Sequence, residues 1–371
     1  MFENLEAVVR AERIRLEENQ KWLTSFFELS KGLIDLVEPW KEKELIQKMP
    51  KRIPNITKIA AVDGGVQSEA MTGFDLIVYR SAGVVFHGIG SKVEAKYIPS
   101  VDPEPLIFFN PSLPSRFDFA KLATLLRLKS EYELAKQIII DEKPTILFID
   151  GKVSPIHSDL IEFTEQSPVI KDAQNELKLV YRDLIKEALE NQVLLCGVVK
   201  DSRSTEVTST LLNQMSSYIK NKNLDGSKLR GWRKTLTNLL DEYFGLGFLP
   251  VQYRTAWLRS ETPSWINFGS RPEIWTCLAK PLVDDSAIRL EVLYMDQFVE
   301  FEKLIEIALG AYNYLCNHGL PIAIPTIIMD ADDRAKLSQL HLETIIDQIS
   351  ITLGIPKDHL RKRRNYHTLY E

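Results

Sequence analysis

TKIAAVDGGVQSEA, residues 57–70, places an apolar run directly before an acidic residue and two glycines. Ile59 to Val62 have the composition of a buried strand, and Asp63 follows them. Asp-Gly after such a run is a common hairpin signal, because glycine accepts a positive φ and aspartate caps the turn. An acid at the end of a buried strand can also serve to bind a cation. Both interpretations of Asp63 are open at this point.

The same arrangement occurs again in ILFIDGK, residues 146–152, where Asp150 ends a second apolar run. Two partly buried acids on neighbouring strands would repel each other unless a cation lay between them. Hard divalent ions take oxygen ligands, and Mg²⁺ or Mn²⁺ sites are often built from a few carboxylates with water and substrate phosphate. The pair indicates a metal-assisted phosphodiester site, with a plain turn as the alternative for each aspartate.

Helix and strand patterns alternate along the chain. Residues 3–37 have the apolar spacing of an amphipathic helix or helical hairpin. An antiparallel meander is predicted at 57–63, 75–80 and 83–88, with Asp63 ending its first strand. The later predicted elements are helices at 117–140 and about 170–190, strands in PTILFIDGKV, QVLLCGVVKDS, VQYRTAWL, EIWTCLAKP and AIRLEVLY, and closing helices at about 297–317 and 332–352. This order predicts an α/β fold with a mixed sheet.

Length and composition set limits on the class of protein. The 371 residues suffice for one large domain with insertions or for two domains, and 44% hydrophobic content allows a sizeable core. The net charge of -5 argues against a wholly basic nucleic-acid binder but permits a local basic groove. The cysteines Cys196, Cys277 and Cys316 are far apart, which predicts buried thiols. Without a secretory pattern or an apolar run of membrane length, we expect a soluble, cytoplasmic protein.

Three further polar residues come into question. Lys200 ends the run CGVVK, where it can bind a phosphate or simply begin a loop with its stem packed. Glu131 and Glu133 lie on different faces of the predicted helix before Asp150. Either glutamate can be a third acidic ligand, although a solvated helix acid is the commoner case.

A basic and aromatic segment lies at about 215–248 and is predicted to be a helical insertion over the site. Channels for single-stranded nucleic acid combine cationic side chains with aromatic platforms. The predicted DNA-binding residues are Lys228, Arg230, Trp232 and Arg233. The alternative is an ordinary charged helix whose polar side chains face solvent and bind no DNA.

Six short motifs occur in a specific order. They are VDGG (62–65), R-x3-E-x3-A (127–135), FIDGK (148–152), GVVKDSRS (197–204), RLEV (289–292) and A-x3-AKLS (331–338). In this order and spacing the chain resembles the NurA nuclease family over about residues 57–340. The resemblance implies an RNase H-like core in a toroidal homodimer and manganese-dependent 5′–3′ exonuclease and single-strand endonuclease activity on DNA. It also implies a hexameric HerA-type ATPase as partner in DNA end processing.

The resemblance assigns roles position by position. Asp63 and Asp150 match the metal-binding aspartates, Glu131 matches the helix glutamate, and Lys200 matches the lysine of the KDS motif. Asp332 stands where the family often has a histidine, and no tyrosine precedes it at the usual place. An acid can replace histidine as a ligand of a hard metal. The implied ligands of Mn²⁺ or Mg²⁺ are therefore Asp63, Glu131, Asp150 and Asp332, and the implied catalytic residues are Asp63, Glu131, Asp150 and Lys200.

Two functions follow from this pattern. The first is an active metal-dependent DNA nuclease. The second is a catalytically weakened NurA-like subunit that docks on and regulates a DNA translocase, which the missing tyrosine and histidine favour. The predicted organisation is an N-terminal helical segment (1–54), a nuclease domain (55–345) with the insertion, and a basic tail (346–371).

Overall fold

The fold was analysed in a computed structural model. The structure describes residues 2–33, 36–50, 56–88, 93–111, 113, 115–155, 160, 167–200, 202, 204–221, 240–241, 249–262, 265–266, 272–295, 300–316 and 319–361.

Within these residues, one large mixed sheet runs through the molecule. Its strands are β1 (Ile46–Lys48), β2 (Lys58–Ala70), β3 (Phe74–His87), β4 (Glu94–Ile98), β5 (Leu106–Pro111), β6 (Ile146–Asp150), β7 (Leu194–Val199), β8 (Tyr253–Thr255), β9 (Leu258–Ser260), β10 (Glu273–Lys280) and β11 (Ile288–Tyr294). The strand order is β1-β8-β10-β11-β7-β6-β2-β3-β4, with β5 paired to β3 and β9 paired to β10.

Helices cover both faces of this sheet. They are α1 (Phe2–Leu33), α2 (Arg116–Glu142), α3 (Pro168–Glu190), α4 (Glu206–Asn221), α5 (Phe301–Leu315), α6 (Thr326–Ala335), α7 (Gln339–Leu353) and α8 (Lys357–Leu360). The α/β prediction is therefore confirmed. No helix among the described residues combines the length and the apolar character needed to cross a membrane.

The half of the sheet that concerns function consists of β2, β3, β4, β6 and β7. Strands β2, β3 and β4 pair antiparallel, whereas β6 and β7 run parallel to β2. Helix α2 provides the crossover between β5 and β6, and α3 connects β6 to the parallel β7. This order and these directions are consistent with the predicted RNase H-like core.

Alternation along β2 separates the two faces of the core. Ile59 and Ala61 pack in a cluster with residues of α5 and α6, whereas Ala60 and Val62 pack in a second cluster with residues of α2 and α3. Because successive side chains of a strand point to opposite faces, Asp63 falls on the α6 face and Gly64 on the α2 face.

The predicted three-stranded meander is wrong, and Asp63 does not end its strand. The predicted strands 75–80 and 83–88 are one continuous strand, β3, which ends at His87, and the turn lies instead at Gly73, which has a φ of +91°. Gly83 lies within this strand, and a Cβ there would meet Ile138 Cδ1 of α2 at 2.3 Å, so a larger residue would require the Ile138 side chain to shift. Asp63 pairs with Ala82 in the middle of this long hairpin.

The first predicted closing helix, at about 297–317, corresponds to α5, whereas the second differs from the prediction. Residues 332–352 do not form one helix but the end of α6 and most of α7. Ser338 separates the two helices because it caps α7 in a capping box with His341. The predicted insertion begins inside α4, and most of it lies outside the described residues. The three cysteines are free and buried, as predicted.

Candidate metal centre

Three aspartates meet where the parallel pairing of β2 and β6 ends. Asp63, Asp150 and Asp332 each offer a carboxylate oxygen, and these oxygens lie within 4.8 Å of one another. Parallel pairing places Val62 beside Ile149, so the next residues of the two strands, Asp63 and Asp150, are neighbours. Asp332 comes from α6, which packs on the same face. The sheet and one helix thus bring together acids that are far apart in the sequence.

Helix α6 lies unusually close to β2, and glycine permits this. A Cβ on Gly65 would lie 2.0 Å from the carbonyl oxygen of Ala335, the last residue of α6. The buried Arg80 of β3 donates to that same oxygen (3.2 Å) and to the carbonyl of Lys336 (2.7 Å). Arg80 thereby satisfies the last carbonyl of α6 and the carbonyl that follows it, and holds the helix that carries Asp332 against the hairpin.

Glu131 approaches from the opposite face of the sheet. A Cβ on Gly64 would lie 3.1 Å from Glu131 Oε2 and 3.0 Å from Arg127 Cγ, so this glycine also provides room for α2. Arg127 Nη1 donates to Glu131 Oε2 at 2.8 Å, an i,i+4 pair on the helix. Glu131 is fully buried, and its other oxygen, Oε1, has no hydrogen-bond partner among the described residues.

Three carboxyl groups at the site, those of Asp63, Glu131 and Asp150, have raised pKa values. Burial, then the Asp150 charge and the hydrogen bond with Asp332, raises the pKa of Asp63 from 3.8 to about 7. Burial, with the Asp63 and Asp150 charges adding to it against the Arg127 guanidinium, raises the pKa of Glu131 to about 8. Burial raises the pKa of Asp150 as well, although the Lys200 ammonium opposes the rise. The negative charges of the ionised carboxylates are thus not fully balanced by neighbouring bases, and a bound cation would balance them.

Lys200 follows β7 and pairs with one of the aspartates. Its Nζ lies 2.8 Å from Asp150 Oδ2. Two buried hydrogen bonds hold the loop after Asp150. The N–H of Val153 donates to Glu291 Oε2 (3.1 Å), and the Tyr181 hydroxyl donates to the Val153 carbonyl (2.7 Å). Glu291 in turn accepts from the buried Arg289 at 2.8 Å. Asp150 is therefore carried by a strand end with buried polar support.

The donor set fits a hard divalent cation. Oxygens around one octahedral Mg²⁺ or Mn²⁺ are separated by roughly 3 to 4 Å, a spacing that the three aspartate oxygens can adopt with small rotations. The unpartnered Oε1 of Glu131 is a buried acceptor of the kind that rarely stays unsatisfied. Carboxylate oxygens without sulfur or nitrogen ligands favour magnesium or manganese over softer ions.

The site residues predicted from the sequence can be compared with this geometry. Asp63, Asp150 and Asp332 come together, and Lys200 contacts Asp150; Glu131 is adjacent but not within the 4.8 Å group. Their chemical roles stay predictions. The predicted DNA-binding residues Lys228, Arg230, Trp232 and Arg233 lie outside the described residues.

Sequence reasoning missed Arg127 and Arg80 as parts of the site. Arg127 had a usable signal, because an arginine four residues before a helix glutamate is positioned to pair with it. Arg80 had none in the local sequence, since the carbonyls of Ala335 and Lys336 that it binds lie about 255 residues away.

The chain is similar to a known protein family and to several solved structures. A family model described as the NurA domain matches residues 57–337, which is more than half of the chain. The crystal structure of the NurA nuclease from Sulfolobus solfataricus is similar, with a TM-score of 0.50, 15% identity and coverage of 93% of this chain and 97% of that one. That likeness concerns the fold.

Two further solved structures share most of their length with this chain. One is NurA with manganese, with 11% identity, a TM-score of 0.47 and coverage of 95% of this chain and 99% of that one. The other is NurA bound to dAMP and manganese, with 12% identity, a TM-score of 0.44 and coverage of 95% and 98%. None of the curated proteins gives a sequence match.

Proposed function

This chain belongs to the NurA domain family, and we propose that it is a metal-dependent nuclease that hydrolyses phosphodiester bonds in DNA. One observation carries the proposal: three aspartates from β2, β6 and α6 present carboxylate oxygens within 4.8 Å of one another. The proposed cofactor is Mn²⁺ or Mg²⁺, because the ligands are hard oxygens.

Some residues of the site would bind the cation directly, and others would orient those ligands. Asp63, Asp150 and Asp332 would hold the ion, and Glu131 would face it with its unpartnered Oε1. When bound, such an ion neutralises a scissile phosphate, generates a nucleophile from water at neutral pH and stabilises the leaving oxygen.

The remaining groups orient these ligands and add positive charge. The N–H of Gly64 donates to Asp63 Oδ1 at 2.7 Å and fixes the orientation of that carboxylate. Arg127 fixes Glu131 in the same way from the opposite face. Lys200 donates to Asp150, and its ammonium has further N–H groups that can bind a non-bridging phosphate oxygen and stabilise the charge that develops there.

The finer features of the proposal come from the family resemblance. They are 5′–3′ exonuclease and single-strand endonuclease activity on DNA ends, a homodimeric assembly, a HerA-type hexameric ATPase as partner, and DNA contacts by Lys228, Arg230, Trp232 and Arg233. The division into residues 1–54, 55–345 and 346–371 is part of the same proposal, as is a role in DNA repair.

The alternative is a catalytically weakened subunit that regulates a translocase. The absence of a tyrosine before Asp332 favours it. Against it, a carboxylate stands in the place of the usual histidine and lies with Asp63 and Asp150, so the donor set is not depleted.

An end-labelled DNA assay tests the proposal. Single-stranded and duplex substrates are incubated with the full-length protein in Mn²⁺, in Mg²⁺ and in excess EDTA, next to Asp63→Asn and to Asp172→Asn, an exposed residue of α3. We expect cleavage only with metal, a loss of about a thousandfold or more in Asp63→Asn, roughly 4 kcal/mol of transition-state stabilisation, and no loss in Asp172→Asn. Intact DNA under every condition, also with a HerA-type ATPase added, would favour the regulatory alternative.

A further inference from the structure

A buried arginine outside the metal centre binds three separate parts of the chain. Arg289 of β11 is only 2% exposed. Its Nη1 donates to Ser204 Oγ (2.8 Å), its Nη2 to Glu206 Oε2 (2.7 Å) and its Nε to Glu291 Oε1 (2.8 Å). The carboxylate of Asp241 lies 3.8 Å from Nη1. Because the N–H groups of a guanidinium lie in one rigid plane, this side chain holds its acceptors at fixed relative positions.

Arg289 meets both ends of the loop that carries Lys200. In the pairing of β11 with β7, the backbone of Arg289 lies opposite Val199, the last residue of β7. Its side chain binds Ser204, which lies two residues before α4. The carbonyl of Ser204 also accepts the N–H of Asp241 at 2.8 Å. Lys200 directly follows Val199, so it lies inside the short segment that Arg289 closes.

The same arginine is linked to the neighbouring loop through Glu291. Glu291 Oε1 accepts from Arg289, and its Oε2 accepts from the N–H of Val153 at 3.1 Å. This second loop lies directly on β7, since a Cβ on Gly197 would be 2.5 Å from the nitrogen of Val153. The loop after β6 and the loop after β7 are therefore both held by one buried pair of charged side chains.

This arrangement decides where the ammonium group of Lys200 lies. The lysine side chain is a flexible four-carbon stem, so its 2.8 Å contact with Asp150 depends on the position of its own backbone. Resting on the proposed function, we infer that Arg289 is a positioning residue of the nuclease reaction, which closes the loop after β7 and so holds Lys200 at the scissile phosphate. Arg289 is buried and its contacts among the described residues are with protein groups. Its effect on the reaction therefore runs through Lys200.

A double-mutant cycle tests this inference. Cleavage of end-labelled single-stranded DNA in Mn²⁺ is measured as kcat for the full-length wild type, Arg289→Lys, Lys200→Met and the double variant. Lysine keeps the positive charge beside Glu291 but lacks the planar fork that also reaches Ser204. We expect kcat to fall about tenfold in Arg289→Lys, because a small misplacement of a catalytic group is costly. The loss in Lys200→Met should be about a hundredfold or more. The double variant should lose no more than Lys200→Met, because no catalytic ammonium is left to position.

A milder variant and two controls accompany the cycle. Ser204→Ala removes one acceptor of Arg289 and leaves its ion pairs in place, and its loss in kcat should also vanish in the Lys200→Met background. Arg259→Lys changes an exposed arginine of β9 and should leave kcat unchanged. Mn²⁺ affinity, followed by the electron paramagnetic resonance signal of the free ion, should be the same in Arg289→Lys, Ser204→Ala and the wild type. A general disruption of the strand ends would weaken it.

Each contrary result has a defined meaning. Losses that multiply in the double variants would overturn the inference, as would full kcat in both Arg289→Lys and Ser204→Ala. A fall in kcat that is matched by weaker Mn²⁺ binding would assign Arg289 a structural role only, and so would also overturn it. A wild-type protein that does not cut DNA would refute the proposed nuclease together with this inference. Multiplying losses in an active nuclease would refute the inference alone.

Discussion

Replacing Asp63 with asparagine should stabilise the metal-free protein at pH 8 while removing its metal binding. Asparagine is nearly isosteric, and its side-chain oxygen can still accept the N–H of Gly64. The substitution therefore removes a charge without removing the local hydrogen bond. The expected gain comes from the repulsion and burial that raise the pKa of Asp63 in the folded protein.

The magnitude follows from that pKa. A rise from 3.8 to about 7 is roughly 3 units, and at about 1.4 kcal/mol per unit the ionised carboxylate costs the fold at most about 4 kcal/mol. Asp63 is only 7% exposed, so solvent screens little of this cost. Because the folded pKa is raised, the cost is absent below about pH 4, grows as pH rises, and is complete above about pH 7. Asparagine is uncharged and therefore does not carry this cost.

Urea unfolding in EDTA at pH 5 and pH 8 measures the effect. Asp63→Asn should have a higher free energy of unfolding than the wild type at pH 8, a smaller advantage at pH 5, and no stabilisation by added Mn²⁺. The wild type should gain stability from Mn²⁺, since the ion binds only the folded state. Asp172→Asn serves as the control. An Asp63→Asn protein that is no more stable than the wild type at pH 8 in EDTA would refute the reasoning.

Three further outcomes are expected. Mn²⁺ affinity measured by calorimetry should fall as pH drops from 8 to 6, because Asp63 and Glu131, with pKa values of about 7 and 8, must lose their protons to face the ion. Gly65→Ala should lower both the unfolding midpoint and Mn²⁺ affinity, because the new Cβ would overlap the carbonyl of Ala335. Arg289→Met should cost about 3 to 5 kcal/mol in urea unfolding, because it leaves buried acids unpaired.

Each of these three predictions has its own control or its own contradicting result. Equal Mn²⁺ affinity at both pH values would contradict the proton competition. Ser68→Ala in the same strand should have little effect on Mn²⁺ binding, and an equal loss there would remove the special role of Gly65. Arg259→Met, which breaks exposed pairs on β9, should cost less than about 1 kcal/mol. A comparable cost in both arginine variants would contradict the burial argument.

The sequence was most informative where structure depends on near neighbours. Asp150 was placed correctly because an apolar run followed by Asp-Gly is a local signal. Glu131 and Glu133 lie on different faces of α2, and the structure buries the first and exposes the second. Helical spacing separates the two faces but does not say which of them meets the sheet.

The sequence was misleading where distant contacts decide. Ser81, Ala82 and Gly83 have the composition of a turn, yet they continue β3 because they pair with the residues around Asp63. The break between α6 and α7 depends on the cap at Ser338, a residue that lies within the predicted helix. The role of Arg80 depends on carbonyls at the far end of the chain.

The contact between Gly65 and the carbonyl of Ala335 joins two backbones with no side chain between them. Side chains can change rotamer to absorb a small shift, whereas a peptide carbonyl moves only with its helix. A displacement of α6 is therefore transferred undiminished to the separation of Asp332 from Asp63. Position 65 consequently sets the gap of the proposed cation-binding site, and we expect substitutions that enlarge residue 65 to widen that gap even when all four acids are retained.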